Sequence, residues 1–188
     1  MKHLAVFASG SGTNAENIIN FFSDDKNIEI SLILSNKKDA FVLKRAENLN
    51  VKSVYFSKDD FYKSQKVIDI LHENQIDFII LAGFLWLIPK NIISEFDNKI
   101  VNIHPALLPK YGGKGMFGMN VHKAVIQNNE KQSGITIHYV NEKYDDGNII
   151  FQAKCPVNTD DTPELLAEKI HQLEYKYYPQ IIRKILSK

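Results

Sequence analysis

The chain has 188 residues, of which 44% are hydrophobic, 24% charged and 11% aromatic, the composition of an ordinary globular domain and not of a disordered, fibrous or membrane chain. Lys plus Arg total 23 against 22 for Asp plus Glu, a net charge of +1, so no broad basic field is present to hold nucleic acid, and any anion must be bound locally. The most apolar stretch, Phe78 to Ile88, is shorter than the roughly 20 residues that cross a bilayer, and MKHLAVFASGSG has neither the apolar length nor the small-residue cleavage site of a signal peptide. A cytoplasmic protein without membrane attachment is expected.

Leu4 to Ala8 reads as a strand ending in SGSGTN, after which Ala15 to Phe22 carries apolar residues at helical spacing. The unit recurs: Ile28 to Ser35 is strand-like, Phe41 to Leu49 helical, Val51 to Phe56 strand-like, Phe61 to Glu73 helical and Phe78 to Ala82 a strand. Apolar strands alternating with helices are joined by parallel crossovers and covered on both faces. The first half is therefore a Rossmann-like α/β unit. After the strand Ile100 to His104 comes a Pro- and Gly-rich loop, Pro105 to Asn120, then a short helix at Val121 to Gln127. Strands at Ile135 to Val140 and Ile149 to Val157 are separated by NEKYDDGN, too short for a helical crossover, so the mostly parallel sheet should end in antiparallel pairing. Asp160 to Glu164 is a helix-start signature, and one helix from Pro163 to Leu186, bent near Pro179, should close a single domain over 1–188. The lone Cys155 can form no intramolecular disulfide or Cys-rich metal site and reads as a buried, inert thiol.

Gly10, Gly12 and Ala15 satisfy GxGxxG/A between the first strand and the first helix. Main-chain N–H groups and the positive helix end converge there, with Ser11, Thr13 and Asn14 as added donors. A dinucleotide site would need an acidic residue closing the second strand, and that strand ends Ser35, Asn36, Lys37, Lys38. GGKG around Lys114 lacks the Ser or Thr and the preceding strand of a Walker loop. The turn is either a phosphate cradle for a small molecule or a plain connection.

In V-N-I-H-P, Asn102 and His104 lie two apart and face the same way at a strand's carboxyl end, and Pro105 stiffens the exit. A lone strand histidine is more often structural than catalytic, and Asp145 in Asp-Asp-Gly reads, taken alone, as a β-turn. No GxSxG elbow accompanies them, and neither HExxH nor paired histidines at ligand spacing is present, so neither a covalent nucleophile nor a metal is expected. An amide, an imidazole and a carboxylate suit direct acyl transfer between two bound substrates: two donors for an oxyanion, and a carboxylate to keep the imidazole charged and move the proton.

Five stretches, FASGSGTN, LAGFLWLIP, VNIHPALLPKYGG, GITIHYVNEKYDDGNIIFQ and HQLEYKYYP, together resemble the phosphoribosylglycinamide formyltransferase family over nearly the whole chain. The resemblance implies a formyltransferase fold that transfers a formyl group from 10-formyltetrahydrofolate to the amine of glycinamide ribonucleotide in purine biosynthesis. It implies Asn102, His104 and Asp145 as the catalytic trio, and Gly12, Thr13 and Asn14 as the phosphate cradle. Pro105 and Glu174 join the substrate-binding set, while Leu85, Trp86 and Leu87 with the main chain from Val140 to Asp145 would line the folate slot. Trp86 stands where the family commonly has a basic residue, and GGKGMFGMN is longer and richer in glycine than many members' loop. His122, His138 and His171 receive no role, although His138 alternates onto a strand face where it can support the site. The partners implied are small molecules, with a monomer or weak homodimer expected. Related transfer to tRNA would call for a further C-terminal domain and a basic face, and hydrolysis of the formylfolate for an N-terminal regulatory domain.

Overall fold

The computed structural model describes residues 1–187. Strands Lys2–Phe7 (β1), Ile28–Ser35 (β2), Ser53–Tyr55 (β3), Phe78–Leu81 (β4), Ile100–His104 (β5), Gln132–Tyr139 (β6) and Ile149–Pro156 (β7) form one mostly parallel sheet flanked by helices, in the order β3-β2-β1-β4-β5-β6-β7. The chain divides into two compact units, Met1–Val101 and the residues from Asn102 onward, and the boundary falls inside β5.

In the first unit, β1 (Lys2–Phe7) pairs in parallel with β2 (Ile28–Ser35) and with β4 (Phe78–Leu81). Leu4 to Ala8 and Leu32 to Leu34 are wholly buried, as the unbroken apolar runs require. Helix α1 (Thr13–Phe22) buries Ala15, Ile18, Ile19 and Phe22, the i, i+3, i+4, i+7 stripe of one face. Helix α2 (Phe41–Asn48) buries Val42 and Ala46, and β3 (Ser53–Tyr55) is a short edge strand on β2.

The single helix expected over Phe61 to Glu73 is instead two, α3 (Lys58–Tyr62) and α4 (Lys66–Glu73). Ser57 caps α3 by accepting from the Asp60 N–H while the Asp60 carboxylate accepts from the Ser57 N–H, so the start lies three residues earlier than the apolar pattern suggests. The Ser64 side chain accepts from the Lys66 N–H and donates to the Asp60 carbonyl, offering the backbone an alternative to continuing. Helix α5 (Lys90–Glu95), which the sequence reading leaves as loop, starts at Pro89, whose carbonyl accepts from Ile92 and Ile93.

In the second unit, β5 (Ile100–His104) leads through the glycine-rich loop to α6 (Met119–Gln127), and β6 (Gln132–Tyr139) pairs antiparallel with β7 (Ile149–Pro156). A side chain at Gly134 would run into the Ala153 carbonyl of the paired strand. Helix α7 (Pro163–Leu186) continues through Pro179; Thr162 caps it by accepting from the Leu165 N–H at 3.2 Å, with Pro163 in the first turn. It packs on α6, β6 and β7. Cys155 is half-buried on the terminal strand β7 and not in the core as expected, because β7 has no further strand beside it; partial burial still pushes its thiol pKa up. Among the described residues no helix is long and apolar enough to cross a membrane.

Candidate active site

In the first unit, Gly12 caps α1 at φ 77°, a left-handed conformation, and any side chain there would run into Val42 of α2. Gly10 is different: no atom lies within 4 Å of where its side chain would be. The turn is braced from α2, since the Val42 N–H donates to the Gly10 carbonyl at 3.1 Å and Arg45 Nε donates to the Ser11 carbonyl at 2.8 Å. Arg45 also pairs with Glu16 of α1. The sequence reading missed Arg45, which no motif singles out because it lies a whole βα unit away. Thr13 and Asn14, half-buried, open the helix, so main-chain donors, the positive helix end and two polar side chains share one spot.

Also in that unit, the Leu85 N–H donates to the buried Ser9 hydroxyl at 3.0 Å and the Tyr62 hydroxyl donates to the Leu87 carbonyl at 2.9 Å, fixing the segment after β4 at two points. The Trp86 indole is half-exposed and rests against Phe56, Phe61, Tyr62 and Phe84, with ring centroids 5.8 to 6.4 Å apart. It presents a flat aromatic shelf where the resemblance led one to expect a cation.

In the second unit, the period-2 alternation of β5 buries Val101 and Ile103 and turns Asn102 and His104 together, as expected. Buried Thr136 of β6 fixes the exit from β5, its hydroxyl donating to the Ala106 carbonyl at 2.6 Å and accepting from the Leu108 N–H at 3.0 Å. Pro105 sits half-buried immediately before these anchors. Asp145 reaches the pair from the turn after β6. That turn folds tightly on the strand end: a side chain at Gly147 would strike the Tyr139 carbonyl, and Asp145 itself takes φ 53°.

The Asp145 carboxylate is the hub. Its Oδ2 accepts from the Gly113 N–H at 2.9 Å and lies 3.5 Å from His104 Nδ1, while Oδ1 lies 3.4 Å from Asn102 Nδ2 and 3.7 Å from His138 Nε2. Only the first is a short hydrogen bond; His104 is the ion-pair neighbour. Burial alone would raise the Asp145 pKa, but the His104 imidazole and the Gly113 N–H outweigh it and hold the carboxyl far below the usual range. His138 Nδ1 donates to the Tyr139 carbonyl at 2.8 Å, which leaves Nε2 to accept from Asn102 Nδ2 at 3.1 Å. The structure thus makes the expected trio a cluster of four.

Glu174 on α7 is 5% exposed and accepts from His171 Nδ1 at 2.8 Å, a bond that raises the His171 pKa against the opposing effect of burial. His122 on α6 is 2% exposed, and its Nδ1 has no hydrogen-bond partner among the described residues. Burial pushes its pKa down, aided by the His171 charge. Val140 is half-buried at the end of β6. Among the described residues there is no cluster of three or more His, Cys, Asp or Glu side chains able to hold a metal ion.

The formyl transferase family model matches residues 2–182. The phosphoribosylglycinamide formyltransferase of Bacillus subtilis is 35% identical over 192 residues, which cover 100% of this chain and 96% of that protein. The chloroplastic one of Arabidopsis thaliana is 41% identical over 187 residues, 96% of this chain, and the chain spans 64% of its length. The crystal structure of phosphoribosylglycinamide formyltransferase from Bacillus halodurans superposes with a TM-score of 0.89 at 37% identity, covering 100% of this chain and 96% of that one. With a family match over nearly its full length, and the same parallel sheet ending in antiparallel pairing, the chain belongs to the formyl transferase family, in its phosphoribosylglycinamide formyltransferase branch.

Proposed function

We propose that the chain, acting as a single formyltransferase domain, moves the formyl group of 10-formyltetrahydrofolate onto the amine of glycinamide ribonucleotide. The observation that carries the chemical part of this reading is the ionised Asp145 carboxylate, nine-tenths buried beside two imidazoles and an amide. The amine attacks the formyl carbon, and the carbonyl oxygen takes up negative charge. Asn102 and His104 donate to that oxygen through Nδ2 and Nδ1, which lie 3.4 and 3.5 Å from the carboxylate. Asp145 accepts the proton that the amine sheds. When the tetrahedral intermediate collapses, the bond from carbon to the folate nitrogen breaks and that nitrogen takes up the proton held by Asp145, so charge and atoms balance. His138 orients the Asn102 amide. Gly12, Thr13 and Asn14 take the acceptor phosphate, Pro105 and Glu174 contact the acceptor, and Leu85, Trp86, Leu87 and Val140 hold the folate. No metal enters the reaction.

The test is the absorbance change on loss of formylfolate, with and without glycinamide ribonucleotide. Turnover that requires the ribonucleotide supports the reading, whereas formylfolate loss at the same rate without it would point to hydrolysis.

A further inference from the structure

The loop that follows β5 touches the cluster through its main chain. Tyr111, at φ 58°, turns its carbonyl onto His104 Nε2 at 2.7 Å. Two residues on, the Gly113 N–H donates to Asp145. Between them Gly112 lies so close that an added side-chain carbon would sit 3.2 Å from Asp145 Cβ and strike Leu108. The Tyr111 side chain is anchored in turn: its hydroxyl donates to Glu130 Oε1 at 2.9 Å, and Lys110 Nζ donates to the same oxygen at 2.7 Å.

A carbonyl oxygen can only accept, so the 2.7 Å contact exists only while Nε2 bears a hydrogen. With hydrogen on Nδ1 alone, two lone pairs would face each other at that distance. Nδ1, by contrast, faces Asp145 Oδ2 at 3.5 Å, a separation that leaves it free to gain or lose a proton or to turn toward a substrate oxygen. The other titratable groups around His104 are His138 on β6, which lies beside the far oxygen of Asp145, and His122 on α6, which is close enough to feel the His104 charge. Neither makes a hydrogen bond to Nε2.

We propose that Tyr111, anchored on Glu130, is a positioning residue that commits Nε2 of His104 to the main chain and makes Nδ1 the one nitrogen through which His104 exchanges protons. The catalytic consequence rests on the transfer reaction proposed above; the assignment of the working nitrogen does not. A strained non-glycine φ, a phenol tied to a carboxylate and two main-chain bonds into one cluster are more than a surface loop requires.

The experiment is nitrogen NMR of His104 in the full chain from pH 5 to 9, its signals assigned by their loss in His104→Asn. Nε2 is expected to stay protonated throughout, with any change of state confined to Nδ1. In Tyr111→Phe and Glu130→Ala, which free the carbonyl from its anchor, both nitrogens should report a tautomer mixture. Glu130→Gln, whose amide oxygen still accepts from the phenol, should restore the single tautomer. In parallel, Tyr111→Phe should lower kcat about tenfold with either KM within about twofold. An Nε2 that loses its hydrogen at high pH in the unaltered protein overturns the proposal, as does a Tyr111→Phe spectrum identical to it. Because the spectra need no turnover, a chain that failed to transfer formyl would leave this outcome readable.

Discussion

In the proposed reaction the glycine turn of the first unit and the carboxylate cluster of the second would handle charge by opposite means. At Gly10 to Asn14 the donors are main-chain N–H groups at a helix start, whose polarity is fixed at any pH and whose direction is set by a φ that Gly12 adopts without strain. Around Asp145 the groups are side chains, His104 and Asp145 among them titratable, and each has a hydrogen-bond partner: His138 for Asn102, the Tyr111 carbonyl for His104, the Gly113 N–H for Asp145. A site that only holds an anion can be built from backbone, and a site that must move a proton cannot. The contrast predicts that damage to the first appears in binding and stability, and damage to the second in turnover.

The largest expected effect is at the hub. Asp145→Asn keeps the shape but removes the proton acceptor, and kcat should fall by roughly 1000-fold or more with both KM values within about twofold; steady-state kinetics with each substrate varied decides, and a KM-dominated loss would erase the contrast. Next, Asn102→Ala and His104→Ala should each lower kcat by about 100- to 1000-fold, and the double variant by far less than the product, because the groups serve one transition state. Full additivity would mean they act separately.

In the first unit the sharper probe is the pair of glycines. Gly12→Ala, at positive φ and against Val42, should cost about 1 to 3 kcal/mol in urea unfolding, while Gly10→Ala, with open space around it, should unfold as the unaltered chain does. Equal losses would mean that the turn has no such asymmetry. Thr13→Val, which deletes one hydroxyl donor, should raise the acceptor KM by about tenfold with kcat kept; a loss in kcat instead would assign that turn to the chemistry.

The smallest effect is a pair of opposed pH slopes in stability. His122 has a lowered pKa in the fold, so its contribution is complete above the unfolded histidine value of about 6.5 and is lost as pH falls below it. His171 has a raised pKa, so its contribution is complete below about 6.5 and is lost as pH rises through the folded value. Unfolding midpoints between pH 5 and 8 should tilt one way in His122→Phe and the other in His171→Gln; tilts of the same sign would refute the assignment.

Much of this was legible in the chain because the relevant signals are local. Strand β5 spans the residues that its alternation marks, and a strand period of two is enough to turn Asn102 and His104 the same way. The helix break at Lys63 to Gln65 was not legible from hydrophobic spacing, since Phe61 and Val67 both face inward and only the Ser57 and Asp60 cap explains the earlier start. Alternation marks His138 as a strand-face residue, but its bond to Asn102 depends on which ring nitrogen the Tyr139 carbonyl claims. The contacts of Tyr111 and Gly113 use main-chain atoms, which every residue has, so sequence carries no mark of them beyond the glycines that let the loop bend.

The sheet ends unequally, in the three residues of β3 on one side and the eight of β7 on the other. A long border strand offers a row of open amides and carbonyls to any other chain's strand, and a short one does not. On β7 the exposed Lys154 and the closing Pro156 interrupt that row with a charge and a missing donor. A charge and a residue without an N–H donor on a border strand are features that disfavour edge-to-edge pairing between copies of a chain.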